Sequence, residues 1–316
     1  MLTGAAGFVG RSLMLSLHHL GHECVGTART TLEIAPGVTT QLVGDMASGL
    51  RWQGLLEGVD CVIHLAARAH LLNDRSADPQ SEFDRVNYHA TMELVQQAAE
   101  VGVKRFIYVS SIGVHGAASG STPFKESSAL MPHSHYALSK LKAEEGIKEY
   151  LSGKGMEWVI VRPPLIYAAD APGNFNLLLD FVKKEFPLPF ASISNLRSMI
   201  ALDNVVSFLE CCARHPNAAG EVFLISDGDD FSISDIVRLL AEGMGVGCRL
   251  FKFPSQIIKY GANVVGRGNM YTQLFESLQV DSSKARNVLG WRPPVSAHIA
   301  MVDTGRTYHS RIHKSR

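Results

Sequence analysis

Thr3-Gly-Ala-Ala-Gly-Phe-Val-Gly10 sets glycines at positions 4, 7 and 10 and runs directly into an amphipathic stretch, Phe8 to Leu20. Glycine lets a backbone turn tightly and approach a pyrophosphate. The first helical turn after it, here Phe8 and Val9, presents unpaired amides and a partial positive charge to that group. The stretch therefore reads as a dinucleotide-binding loop between a strand and a helix. A second strand-like run, Glu23 to Thr27, follows at the distance such a unit requires. Only Met1 and Leu2 precede Thr3, whereas a buried central strand usually holds about five residues. A few further strand residues are expected upstream.

Moving outward, Cys61 to Leu65, Arg105 to Val109 and Trp158 to Val161 are mostly apolar rather than alternating, as strands buried on both faces should be. Helix-like stretches, Phe83 to Glu100 and Ser134 to Leu151, lie between them. This alternation predicts an α/β fold, a Rossmann-type doubly wound parallel sheet. The texture changes after Tyr167, where Ala168 to Gly173 is a loop, and helices predominate beyond it. We expect a dinucleotide-binding domain over 1–167 and a smaller, mostly helical substrate lobe over 168–316. A helical Asp203 to Arg214 followed by a strand-like Glu221 to Ile225 suggests that 198–226 returns to the first domain.

The end of the second strand ordinarily presents an acid to the adenosine ribose of NAD, or an arginine to the 2′-phosphate of NADP. The chain reads Gly26-Thr-Ala-Arg-Thr-Thr31, with no carboxylate before Glu33. Arg29 is thus the candidate 2′-phosphate ligand, and NADP(H) is favoured over NAD. A third motif, Tyr136-Ala-Leu-Ser-Lys140, sets a phenol and an ammonium four residues apart on one helix face. A cation there is expected to lower the tyrosine pKa and make it a usable acid or base. Ser110 and Ser111 stand where a strand ends, which is where open parallel sheets place their sites.

Composition limits the partners. With 30 basic and 30 acidic side chains among 316 residues, the chain has no general field for nucleic acid or anionic lipid. No apolar run is long enough to span a bilayer, and the N-terminus opens on glycines rather than on a targeting segment. Five cysteines without CxxC spacing read as reduced thiols of a cytoplasmic protein. His133 and His135 lack a third ligand at metal spacing, so no metal is expected. His64 reads as a packed core histidine. Ser232-Ile-Ser-Asp235 reads as a helix capping box, and the basic end from His309 to Arg316 as a frayed tail.

The motifs "TGAAGFVG", "HLAAR", "YVSSIGVHG", "YALSK" and "RPPLIY", in this order, resemble the extended short-chain dehydrogenases/reductases, the NAD-dependent epimerase/dehydratase family that works on nucleotide sugars. The resemblance implies Ser111 as the serine that holds the sugar oxygen. It implies Tyr136 as the proton-exchanging tyrosine, and Lys140 as the lysine that binds the nicotinamide ribose and depresses that pKa. It further implies that Asp45 and Met46 lie by the adenine, that Leu65, Ala66 and Ala67 line the dinucleotide, and that Asn87 and Pro163 flank the nicotinamide. Asn174 and Arg197 match positions used for the nucleotide diphosphate. His115 departs from the usual tyrosine, and Ala168-Ala169 from the usual Gly-Pro. The C-terminal pattern looks most like the O-antigen and capsule branch that includes UDP-4-keto-sugar reductases. The expected activity is NADPH-dependent reduction of the C4 ketone of a UDP-linked 4-keto-6-deoxy-N-acetylhexosamine. The alternatives are a UDP-glucose or UDP-N-acetylglucosamine 4-epimerase with tightly bound NAD, and a non-catalytic NADP-sensing protein. A homodimer is expected from helix pairing in related enzymes.

Overall fold

The computed structural model describes residues 1–35, 38–69, 76, 78–254 and 275–314. Its main sheet runs β10-β7-β6-β5-β1-β2-β4-β3. These strands are β1 (Leu2–Thr3), β2 (Gly26–Ala28), β3 (Glu33–Ala35), β4 (Val38–Leu42), β5 (Cys61–His64), β6 (Arg105–Val109), β7 (Glu157–Arg162) and β10 (Glu221–Leu224). Every pairing is parallel except that of the edge strand β3 with β4. From β1 the chain moves outward through β2 and β4, then resumes on the other side of β1 at β5. The strand order reverses there, and open sheets of this kind bind their ligands beyond the carboxyl ends of the strands at such a point.

Helices cover both faces. Helices α1 (Phe8–His19) and α7 (Leu202–Arg214) bury Leu13, Met14, Val205 and Phe208 against one side. On the other side, α2 (Gln53–Leu56), α4 (Ala90–Glu100) and α5 (His135–Leu151) bury Leu56, Leu94, Val95, Ala143 and Ile147. Phe106, Ile107 and Tyr108 of β6 are wholly inaccessible, which is why that strand is apolar beyond Arg105.

The expected helix over 83–100 starts earlier and is not uniform. Asp78 caps α3 (Pro79–Asp84) by accepting from the Ser81 amide at 3.1 Å, and a π-turn over Arg85–His89 joins it to α4. The strand expected from Glu23 begins only at Gly26, and β3 and β4 were not expected at all.

After β7 the chain builds a small second sheet, order β11-β9-β8, from β8 (Leu165–Tyr167), β9 (Arg197–Ala201) and β11 (Asp230–Phe231). Helices α6 (Asn174–Lys183), α8 (Ile233–Met244) and α10 (Ala297–Lys314) pack Phe175, Leu179, Leu240 and Met301 into a separate core. The capping box is present: Ser232 accepts from the Asp235 amide at 3.1 Å, and the Asp235 side chain accepts from the Ser232 amide at 3.2 Å. Helix α9 (Ser283–Leu289) ends at Gly290 in the left-handed conformation, φ 63°. The basic end is helical through Lys314 rather than frayed, and Ser315 and Arg316 lie outside the described residues.

Candidate active site

The glycine loop forms one wall. Gly4 has φ 69°, and a Cβ there would sit 2.8 Å from the Ala66 amide nitrogen, so the residue is confined to glycine by both conformation and space. A Cβ at Gly10 would collide with the Gly4 carbonyl oxygen. Gly7 caps α1 without a side-chain hydrogen bond, and no acid stands in the first turn. The amides around Phe8 and Val9 are therefore left for an anion, and the cradle fits a dinucleotide pyrophosphate.

At the outer end of the loop, β2 stops at Ala28 and Arg29 follows, exposed to solvent. The nearby acid comes from the turn after β4 instead. Asp45 ion-pairs with Arg85 at 3.1 Å, and the Ala47 amide, Arg85 and Arg29 hold its carboxyl below the ordinary range. Met46 beside it is buried.

The expected serine, tyrosine and lysine follow beyond β6. Ser111 caps a short helical turn, Ile112–Val114, and its Oγ accepts from the Gly113 amide at 3.1 Å. That bond leaves its own proton to donate. Helix α5 starts at the Ser134 cap and turns Tyr136 and Lys140 toward the end of β6, where Lys140 Nζ donates to the Val109 carbonyl at 2.8 Å. The ammonium lies 4.6 Å from the centre of the Tyr108 ring and 5.9 Å from that of Tyr136.

Burial dominates the electrostatics here. Desolvation pushes Lys140 down to about 7, only partly opposed by Glu144, and pushes Tyr136 up to about 12. The expected lowering of the tyrosine pKa by its neighbouring cation is thus absent in the protein by itself. Loss of water costs the phenolate more than the ammonium returns.

Leu65, Ala66 and Ala67 follow β5 and are half-buried, and Pro163 follows β7, where its carbonyl accepts from the Ile112 amide at 2.9 Å. Asn87, in the π-turn, is 1% exposed. Both ends of its amide are engaged: Oδ1 accepts from the Arg68 amide at 2.7 Å, and Nδ2 donates to the Arg68 carbonyl and to Ser139 Oγ. His64 is fully buried between Thr3 and Thr91.

The first-half candidates thus lie in the segments after β1, β2, β4, β5, β6 and β7, or on the helical turns at Asn87 and at Tyr136 and Lys140. Asn174 and Arg197 lie elsewhere, at the start of α6 and of β9. Arg197 is 9% exposed, donates to the Glu276 carbonyl at 2.8 Å, and has no carboxylate partner among the described residues. Burial pulls it down to about 10. The segment after Glu276 pairs with Arg197 through Leu278 and with Phe124 through Val280, and so ties β9 to the segment that follows Ser111. His133 and His135 contact the Gly113 carbonyl and Gln80 respectively, and no group of three metal-ligating side chains gathers among the described residues.

Sequence reading missed one buried cluster. Arg162 Nε donates to Glu144 at 3.0 Å, and Arg162 also contacts His115 Nε2 at 2.9 Å. Glu144 stands four residues beyond Lys140 and eight beyond Tyr136, so the helical period that paired those two also pointed to it.

A Rossmann domain with serine, tyrosine and lysine at the ends of its strands defines a class of dinucleotide-dependent enzymes that exchange a hydride and a proton. Residues 1–226 match the NAD dependent epimerase/dehydratase family, and the chain belongs to it. It is similar to a UDP-glucose 4-epimerase of Vibrio cholerae, with 35% identity over 98% of this chain and 94% of that one. Among solved structures it is similar to UDP-glucose 4-epimerase of Thermotoga maritima with UDP-glucose, with a TM-score of 0.79 and 20% identity over 99% of this chain and 98% of that one. UDP-glucuronic acid 4-epimerase of Bacillus cereus in complex with NAD gives a TM-score of 0.78 at 21% identity, over 99% and 98%.

Proposed function

We propose that the protein reduces the C4 ketone of a UDP-linked 4-keto-6-deoxy-N-acetylhexosamine with NADPH, in surface polysaccharide biosynthesis in the cytoplasm. The observation that carries this reading is Arg29 at the end of β2, in a turn without a carboxylate. A guanidinium there suits a 2′-phosphate and so favours the reducing cofactor pool. When bound, the dinucleotide supplies the hydride to C4. Ser111 donates its free hydroxyl proton to the ketone oxygen and fixes its direction. Tyr136, held as the neutral phenol by burial, transfers its proton to that oxygen as the alcohol forms. Lys140 orients the dinucleotide ribose and supplies positive charge beside the phenolate that remains. Residues 1–167 with the return over 198–226 hold the dinucleotide, and 168–316 hold the nucleotide sugar, with Asn174 and Arg197 at its diphosphate. The working unit is a homodimer paired through the helices over 83–100 and 134–151.

A second reading is favoured by the Vibrio cholerae relative: a 4-epimerase that keeps NAD bound and returns the hydride to the opposite face. NADPH absorbance followed with a UDP-4-keto-6-deoxy sugar separates the two. Steady consumption supports the reductase. No consumption, together with interconversion of UDP-hexoses without added cofactor, overturns it.

A further inference from the structure

Buried polar groups make two hydrogen-bonded chains that meet at Asn87, one from the glycine loop to the Asn87 main-chain carbonyl and one from the Asn87 side chain to the backbone of Tyr136, and counting protons orders the first. Thr91 Oγ1 donates its single proton to the Asn87 carbonyl at 2.9 Å. Toward His64 Nε2, 2.9 Å away, it therefore acts as acceptor, and Nε2 carries the ring proton. Burial keeps the imidazole neutral, with its pKa pushed down to about 3. Nδ1 is then bare and accepts from Thr3 Oγ1 at 2.7 Å. Thr3 Oγ1 in turn accepts from the Ala66 amide at 3.3 Å, on the segment whose backbone leaves no room for a Cβ at Gly4. On the far side, Asn87 Nδ2 donates to Ser139 Oγ at 3.0 Å, and Ser139 donates to the Tyr136 carbonyl at 2.8 Å. Asn87 also clasps the Arg68 peptide, accepting its N–H and donating to its carbonyl.

The geometry points to His64, Thr91, Asn87 and Ser139 as positioning residues that hold the dinucleotide loop and the Tyr136 helix in one register, through a relay that closes in a single proton order. All four are buried, and their polar atoms are engaged with one another, with Thr3 or with backbone groups. Reversing the ring tautomer turns an N–H toward Thr3, leaves the Thr3 hydroxyl proton without an acceptor, and sets the His64 Nε2 lone pair against the Thr91 oxygen lone pair. A disturbance at Thr91 therefore reaches Thr3 and Ala66 at the cofactor wall. The inference rests on the family's use of this loop and this tyrosine, and is the same for a reductase or an epimerase.

Two measurements test it. The first is nitrogen NMR of the imidazoles in the unmodified protein, which is expected to find His64 as the Nε2–H tautomer, unchanged between about pH 5 and 8. An Nδ1–H form, or a ring that titrates in that range, overturns the relay. The second compares Thr91→Ser with Thr91→Val for binding of NADPH and of NAD, read by fluorescence. A relay predicts affinity within about twofold of the parent for serine and roughly tenfold weaker for valine, because serine keeps the hydroxyl. Packing alone predicts the opposite order, since valine keeps the volume and serine leaves a void. The opposite order, or equal effects, overturns the proposal. Preference of the parent protein for NAD over NADPH counts against the reductase and leaves the relay to be judged on its own two readouts.

Discussion

Lys140 brings an ammonium into a space that strips nearly all of its water, and the pH dependence of stability follows. Its pKa falls from 10.5 to about 7 on folding. Below about 7 both the folded and unfolded chains hold the proton, and the burial penalty is present in full. Between about 7 and 10.5 only the unfolded chain holds it, so stability rises with pH, by up to about 1.4 kcal/mol per unit. Urea unfolding of dinucleotide-free protein is therefore expected to favour Lys140→Met over the parent most strongly near pH 6.5, and progressively less toward pH 9.5. A gap constant in pH would show that Lys140 is not buried as a cation. On the proposed function, a second residue, Arg29, sets the cofactor choice. Arg29→Glu is expected to weaken NADPH about a hundredfold, through a lost guanidinium contact and an added like charge, and to strengthen NADH. Parallel titrations of the two cofactors check this. The spacing of Tyr136 and Lys140 was legible because helix geometry alone sets it. The direction of the tyrosine shift was not, because desolvation is fixed by what distant segments pack over the site.

Elements differ in how far their sequences reveal them. Strand β6 was plain because it is buried on both faces, whereas β4 at the sheet margin carries the mixed run Val-Thr-Thr-Gln-Leu, and β11 has only two residues. The π-turn at Arg85–His89 adds a residue to one turn and breaks the 3.6-residue period, so a periodicity in register with α4 reaches back only to Phe83 and leaves out the start of α3. The glycines that bring α8 against α10 were equally hidden. A Cβ on Gly243 would strike the Val302 carbonyl, and one on Gly305 the Leu240 carbonyl. The two helices therefore meet backbone to backbone with no slack. Gly243→Ala and Gly305→Ala are each expected to cost about 1–3 kcal/mol in chemical denaturation through overpacking. The double variant is expected to cost less than the sum, because a gap forced open by one methyl already admits the other.

At the scale of the whole molecule, the proposed function asks equal numbers of acidic and basic side chains to serve two polyphosphate ligands, which calls for positive charge placed locally. One location is the loop from Gly4 to Gly10 with Arg29. The other is Arg197, which is buried, accompanied by a backbone carbonyl, and without a carboxylate among the described residues. The loop opens from β1 of the main sheet, whereas Arg197 begins β9 of the small one. If 168–316 grips the nucleotide sugar, removing the second charge should leave the first ligand untouched. Bound ligand stabilises by RT ln(1 + [L]/Kd), about 2.7 kcal/mol when the ligand is at a hundred times Kd. Loss of a buried charge-assisted contact weakens binding by up to about a hundredfold. At the same UDP concentration the stabilisation then falls to about 0.4 kcal/mol. Arg197→Met is accordingly expected to abolish most of the thermal shift given by UDP while keeping that given by NADPH, and Arg29→Glu to do the reverse. Loss of both shifts in either variant would mean that the two ligands share one set of charges, and would remove the division at about residue 167.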